Sequence, residues 1–242
     1  MGLAHSPRIV TDGLVLCLDA ASKRSYPGTG TVWTDLKGGN NGTLTNMTDN
    51  FDSANGGSLT FDGSDDYISV SNSASLQIDN PDGITISSWV NPDTVSGGDS
   101  FGSSNPRYIV AKGGSPNNFN YALRLLGGKI DFLYRDVTNT NYVTVRQDVA
   151  TVVVGSWQHI AVRFDSSGYA LILNGVEVAS TLISGAISQS PVINTDALVI
   201  GRQGSASQRY MNGRVVGIHI YNRALSAEEI LQNYLSTKER YA

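Results

Sequence analysis

Two dipeptides set the pattern for the whole chain. Asn174-Gly175 separates the apolar-alternating run 169–173 from 176–179, and Gly127-Gly128 separates 121–126 from 129–134. A two-residue connection between such runs marks a tight β-hairpin, because Asn and Gly tolerate the positive φ angles that a type I′ turn needs. The same punctuation continues along the chain. Short strand-like runs at 13–19, 58–61, 67–70, 84–90, 108–111, 142–146, 157–164, 197–200 and 214–221 alternate with clusters of Gly, Asn, Asp and Ser. In 84–90 (ITISSWV) both faces are apolar, as in a strand buried in the middle of a sandwich. The pattern predicts an all-β protein built as an antiparallel sandwich.

One helix breaks the strand rhythm. Ser226-Ala227-Glu228-Glu229 is a capping box, in which the Ser226 side chain and the Glu229 side chain each satisfy the other's backbone N–H. Ile230, Leu231, Tyr234 and Leu235 follow at helical spacing, so a short helix closes the chain. Residues 20–56 read mostly as loop, with a Gly38–Gly42 run that contains Asn40 and Asn41, and residues 91–105 read as a second polar loop. No linker or repeat divides the 242 residues. The expected organisation is an N-terminal arm, 1–12, and one domain, 13–242.

Composition removes several functional classes. The net charge of −4, with no basic run, leaves no electrostatic footprint for nucleic acid. No apolar stretch approaches the roughly 20 residues that span a bilayer, so membrane insertion is not expected. Cys17 is the single cysteine, which rules out an intrachain disulfide and a cysteine metal cluster. The first residues lack the charged-then-apolar order of a secretory signal. Met1-Gly2 with Ser6 fits a myristoylation pattern that recurs freely by chance.

Four segments carry a family resemblance: 58–70 (SLTFDGSDDYISV), 84–92 (ITISSWVNP), 155–174 (GSWQHIAVRFDSSGYALILN) and 213–230 (GRVVGIHIYNRALSAEEI). They resemble the laminin G-like jelly-roll group of the concanavalin A-like lectin/glucanase superfamily. The resemblance implies a two-sheet antiparallel jelly-roll sandwich with a short C-terminal helix, and rim loops able to hold calcium or sugar. The chain departs from the family where an acidic pair usually precedes the final strand, since Val215, Val216 and Gly217 stand there, with His219 beyond. Residues 13–45 further resemble segments of tailed-bacteriophage structural proteins.

The superfamily contains glycoside hydrolases, which need two carboxylates roughly 5–5.5 Å apart, or about 6.5–9.5 Å for inversion. The only Glu residues are Glu177, Glu228, Glu229 and Glu239, and no strand carries two at alternate positions. His159 shares a face with Trp157 and Ala161 and reads as a packed, hydrogen-bonded residue. His219 has no acidic neighbour in sequence, and Cys17 reads as a small buried hydrophobe. An enzyme is therefore not expected. Calcium is the expected ion, drawn to carboxylates and carbonyls in Asp62, Asp65 and Asp66, or in Asp35 with the Gly38–Gly42 loop. Turn-forming Asp and Asn explain the same residues without an ion.

Sugar binding would use exposed aromatic faces and bidentate donors. The ligand-binding candidates are Tyr26, Trp33, Tyr108, Arg124, Tyr134 and Arg135, with Phe119, Tyr142 and Tyr210 beside them. Trp89 and Trp157 sit in strong strand patterns and read as core. Together these features suggest a non-enzymatic virion protein that decorates a phage capsid or tail and carries an adhesion or glycan-binding module. Its expected partners are other virion subunits, including copies of itself, and surface glycans. Subunit contacts are expected along the arm from His5 to Ile9 and in the 91–105 loop. The alternative is a stand-alone, secreted or cell-surface carbohydrate-binding lectin, with a glycoside hydrolase third.

Overall fold

The computed structural model describes residues 7–78, 83–95, 105–114, 118–137, 142–187, 191–204 and 209–241. His5 and much of the 91–105 loop lie outside the described residues. In chain order the strands are β1 (Leu14–Asp19), β2 (Val32–Trp33), β3 (Gly42–Thr45), β4 (Phe51–Asp52), β5 (Ser58–Asp62), β6 (Tyr67–Val70), β7 (Ile84–Pro92), β8 (Arg107–Lys112) and β9 (Tyr121–Leu126). They continue as β10 (Lys129–Arg135), β11 (Tyr142–Gln147), β12 (Gln158–Asp165), β13 (Gly168–Leu173), β14 (Val176–Val178), β15 (Ser180–Ser184), β16 (Leu198–Ile200) and β17 (Asn212–Tyr221). One helix, α1 (Ala227–Thr237), follows.

Among the described residues these strands form two antiparallel sheets. The eight-stranded sheet runs β14-β13-β12-β7-β17-β5-β4, with β1 also paired to β17. The nine-stranded sheet runs β15-β11-β10-β9-β8-β16-β6-β3-β2. This is the jelly-roll sandwich that the turn pattern and the resemblance predicted. Both hairpins form as expected: Leu126 pairs with Lys129 and Leu173 with Val176. The turn residues Gly127, Gly128, Asn174 and Gly175 all have positive φ.

Alternation along each strand sends one set of side chains between the sheets. Ile86, Ile160, Leu171 and Ile218 from one sheet meet Leu123, Phe132, Tyr134 and Val145 from the other in one buried cluster. All nine residues of β7 are buried, because the opposite side of its sheet is covered as well. There α1 lays Ile230 against Ala161, Ala170, Ile172, Tyr221 and Leu225. The capping box forms in full, with the Ser226 hydroxyl accepting from the Glu229 N–H. Part of the expected arm is tied to this layer: the Val10 N–H donates to Asn233 Oδ1, and Tyr221 Oη donates to the Val10 carbonyl.

The expected long loop at 20–56 is not a loop throughout. β2, β3 and β4 lie inside it, two to four residues each. They are too short to show alternation, and their strand state comes from pairing, β2 with β3, β3 with β6 and β4 with β5.

Candidate functional site

The outward face of the nine-stranded sheet holds a charged row set by strand register. Tyr108 on β8 pairs with Arg124 on β9, Arg124 with Asp131 on β10, and Asp131 with Arg146 on β11. Asp131 is fully buried and accepts from both neighbours, at 2.7 Å from Arg124 Nε and 2.6 Å from Arg146 Nε. Arg124 Nη1 donates to Tyr108 Oη at 2.9 Å. Burial opposes the Arg124 charge, but the Asp131 carboxylate and the Tyr108 hydroxyl outweigh it, so its pKa lies above the ordinary arginine value. One carboxylate between two guanidiniums leaves the row with a net positive charge.

Two residues further along each strand, Ala122, Leu133 and Thr144 pair across the sheet, and beyond them Arg135 pairs with Tyr142. Phe119 stacks on Tyr108 with 6.0 Å between ring centroids and tilts against Tyr142 at the same distance. The Arg135 guanidinium lies 5.5 Å from the Tyr142 ring centre. Tyr142 is half-buried, and burial raises its pKa against the pull of Arg135. Of its rings only half-buried Tyr142 has surface left to meet a ligand, and the arginines can present fixed N–H donors to oxygen. As an acid or base it is poorly placed, because both oxygens of Asp131 are already engaged by arginines.

Of the sequence-derived ligand residues, Tyr108, Arg124 and Arg135 do meet on this face. Tyr26, Trp33 and Tyr134 do not. Trp33 and Tyr134 are 0% exposed and point into the inter-sheet core, so neither has a face to offer a sugar. Tyr26 is buried against Phe51, and its hydroxyl donates to the Gly30 carbonyl. Tyr108 is likewise fully buried, so it braces Arg124 and is no exposed platform. Asp131 and Arg146 escaped the sequence reading. The Gly127-Gly128 turn alone puts Arg124 opposite Asp131, and that register was the available signal.

The acidic candidates separate too. Asp62, Asp65 and Asp66 bring carboxylate oxygens within 4.8 Å of one another in the β5–β6 turn. Asp66 is buried, and its Oδ2 accepts from the Asp62 N–H and from Asn50 Nδ2. Burial, then the charges of Asp62 and Asp65, push the Asp66 carboxyl up. Burial would also raise Asp62, yet the amides of Ser64, Asp65 and Asp66 hold it below the usual carboxylate range. Asp35 stands apart from that cluster. It is buried and accepts from the N–H groups of Cys17, Lys37 and Asn40, which makes it the anchor of its loop.

The outward face of the eight-stranded sheet is closed. Beneath α1 a cavity of about 20 Å³ is bordered by Trp89, His159, His219, Asn233 and Tyr241, among others. His159 is buried as expected, but its Nδ1 has no hydrogen-bond partner, which corrects the satisfied-histidine reading. Burial, then the neighbouring His219, push its pKa down to about 3. His219 is lowered by burial, with Asp19, the acid that sequence spacing hid, pulling the other way. Cys17 is buried, and its thiol is pushed up to about 12, chiefly by burial.

A sequence profile described as the concanavalin A-like lectin/glucanases superfamily, laminin G type, matches residues 62–231. No curated protein sequence matches the chain. The binding domain of Paraclostridial mosquitocidal protein 1 superimposes with a TM-score of 0.69 at 16% identity, over 92% of this chain and 52% of that one. The receptor-binding domain of botulinum neurotoxin type G gives 0.61 at 16% identity, over 92% and 51%. Domain 4 of an extracellular arabinanase from Geobacillus stearothermophilus, solved with arabinotriose, gives 0.65 at 16% identity, over 91% and 98%. At such identities the likeness is one of fold. The chain spans about half the length of the toxin domains.

Proposed function

The chain belongs to the concanavalin A-like lectin/glucanase superfamily, and on that premise we propose that it is a non-enzymatic, glycan-binding adhesion module of a tailed-phage virion. The observation that carries the binding reading is the Tyr108–Arg124–Asp131–Arg146 row, flanked by Arg135 and Tyr142 on the outward face of the nine-stranded sheet. Guanidiniums fixed by a buried carboxylate are preorganised donors, which lowers the ordering cost of binding. The toxin binding domain and the arabinotriose-bound arabinanase domain that share this fold support the same reading. Glycosidase chemistry is disfavoured because Asp131 is neutralised on both sides and Glu177 lies on the other sheet beside Arg163.

The virion role rests on the resemblance of residues 13–45, a stretch outside the matched profile. That stretch supplies β1 to one sheet and β2 and β3 to the other. Purified particles, analysed by mass spectrometry and cryo-electron microscopy, should carry the chain at a fixed copy number on capsid or tail. Finding it only as a free protein would leave the lectin reading alone.

Calcium is part of the proposal. Asp62, Asp65 and Asp66 offer hard carboxylate oxygens, and a cation would offset the burial and, after it, the neighbouring charges that push Asp66 up. Three residues fall short of the six to eight oxygens calcium prefers, so water or carbonyls would complete the shell. The melting temperature should rise with calcium and fall back with a chelator, and Asp65→Ala should abolish the difference. Identical melting curves in both conditions would remove calcium from the account.

A further inference from the structure

Lys112, the last residue of β8, is a lysine with no exposed surface. Its Nζ lies 2.9 Å from Asn72 Oδ1, 3.0 Å from Asn194 Oδ1, 3.4 Å from the Asn194 carbonyl and 2.5 Å from the Asp196 carbonyl. The two side-chain amides differ. Asn72 is exposed, whereas Asn194 is 7% exposed and fixed at both ends. Its Oδ1 accepts from Lys112 and from the Asp196 N–H at 3.1 Å, and its Nδ2 donates to the Asn118 carbonyl at 2.8 Å. Gly113 leaves room for that group, since a Cβ there would come within 2.5 Å of Asn194 Nδ2.

A buried amine, a carboxamide whose oxygen takes two donors, and water held away are the conditions for acyl transfer to nitrogen. We propose that Lys112 and Asn194 join in an intramolecular isopeptide bond. The Nζ–Cγ bond forms and the Cγ–Nδ2 bond breaks. The proton lost from Nζ is carried to the leaving nitrogen, which departs as ammonia, so no oxidant or reductant is needed. Asp196 is the carboxylate on the same turn; its Oδ2 accepts from Asn118 Nδ2 at 2.8 Å, and its backbone carbonyl, not its carboxylate, is what meets Lys112 Nζ. Burial lowers the Lys112 pKa to about 8 while Asp196 opposes it, so a fraction of the amine is uncharged near neutrality.

The bond would tie β8 to the segment leading into β16 across a separation of 82 residues. A cross-link over so long a loop restricts the unfolded chain.

The test is the intact mass of the denatured wild-type chain after incubation of the folded protein at mildly alkaline pH, followed by peptide mapping. The expected result is a chain lighter by one ammonia, with a branched peptide joining Lys112 to Asn194. Lys112→Arg keeps the positive charge and should retain its full sequence mass. A wild-type chain of full mass would overturn the proposal. So would an ammonia loss that maps to Asn72 or to a cyclised Asn-Gly pair.

Discussion

The outward residues of the two sheets follow the same alternation but meet different company. On the eight-stranded sheet Trp89 stacks on Tyr234 with 5.6 Å between centroids and donates its indole N–H to Thr237 Oγ1 at 2.8 Å. That face is spent on the chain's own helix. On the nine-stranded sheet Arg124, Asp131 and Arg146 satisfy one another within the sheet, and the side chains of Arg124 and Arg146 each keep 15% exposure. A face that closes on a helix needs apolar surface to bury, while a face that holds charges needs those charges paired before a ligand arrives. That contrast is the reason we propose the nine-stranded sheet for recognition, while the other face is spent on structural support.

The sharpest way to break the contrast is to remove the shared carboxylate. Asp131→Ala strands two largely buried guanidiniums beside each other, and losing one partner of a buried ion group costs roughly 3–5 kcal/mol. Urea unfolding should show that loss. A change below 1 kcal/mol would mean that the row is solvated and contributes little.

The closed face should respond to acid. His159 is neutral in the fold, with its pKa lowered from 6.5 to about 3. Its depressed pKa means that stability is complete above 6.5 and is lost as pH falls through that window, at roughly 1.4 kcal/mol per pH unit. Around it lie His219, Tyr234, Tyr241 and Asp19, the last 3.5 Å from Arg240. Urea midpoints across the window should fall steeply, and His159→Phe should flatten the slope.

The strand pattern was legible wherever a run was long enough to alternate and ended in residues that take positive φ. The Gly127-Gly128 and Asn174-Gly175 hairpins and the Ser226 capping box could be read directly, because their causes are local. β2, β3 and β4 could not be read, since runs of two to four residues show no alternation and only pairing with neighbouring strands makes them strands. Half of the charged row was within reach, because a two-residue turn fixes Arg124 against Asp131. Arg146 was not, as no short turn sets the register of β10 with β11. Trp33 and Tyr134 misled because an aromatic near a loop looks the same in sequence whether its face is open or buried.

A smaller effect tests the helix that closes the first face. Ser226→Ala removes the hydroxyl that accepts from the Glu229 N–H. It should cost about 1 kcal/mol, seen as a lower melting temperature with unchanged glycan binding.

The most direct test of the recognition assignment is a glycan array read with the wild type and with Arg146→Ala, each shown to be folded by its melting curve. Arg124 still pairs with Asp131 in that variant, so the sheet should survive. The account predicts that the wild type binds at least one glycan and that Arg146→Ala weakens it by tenfold or more, the loss of about one charge-assisted hydrogen bond of roughly 1.5–3 kcal/mol. Undiminished binding by the variant, or no binding by the wild type, would contradict it.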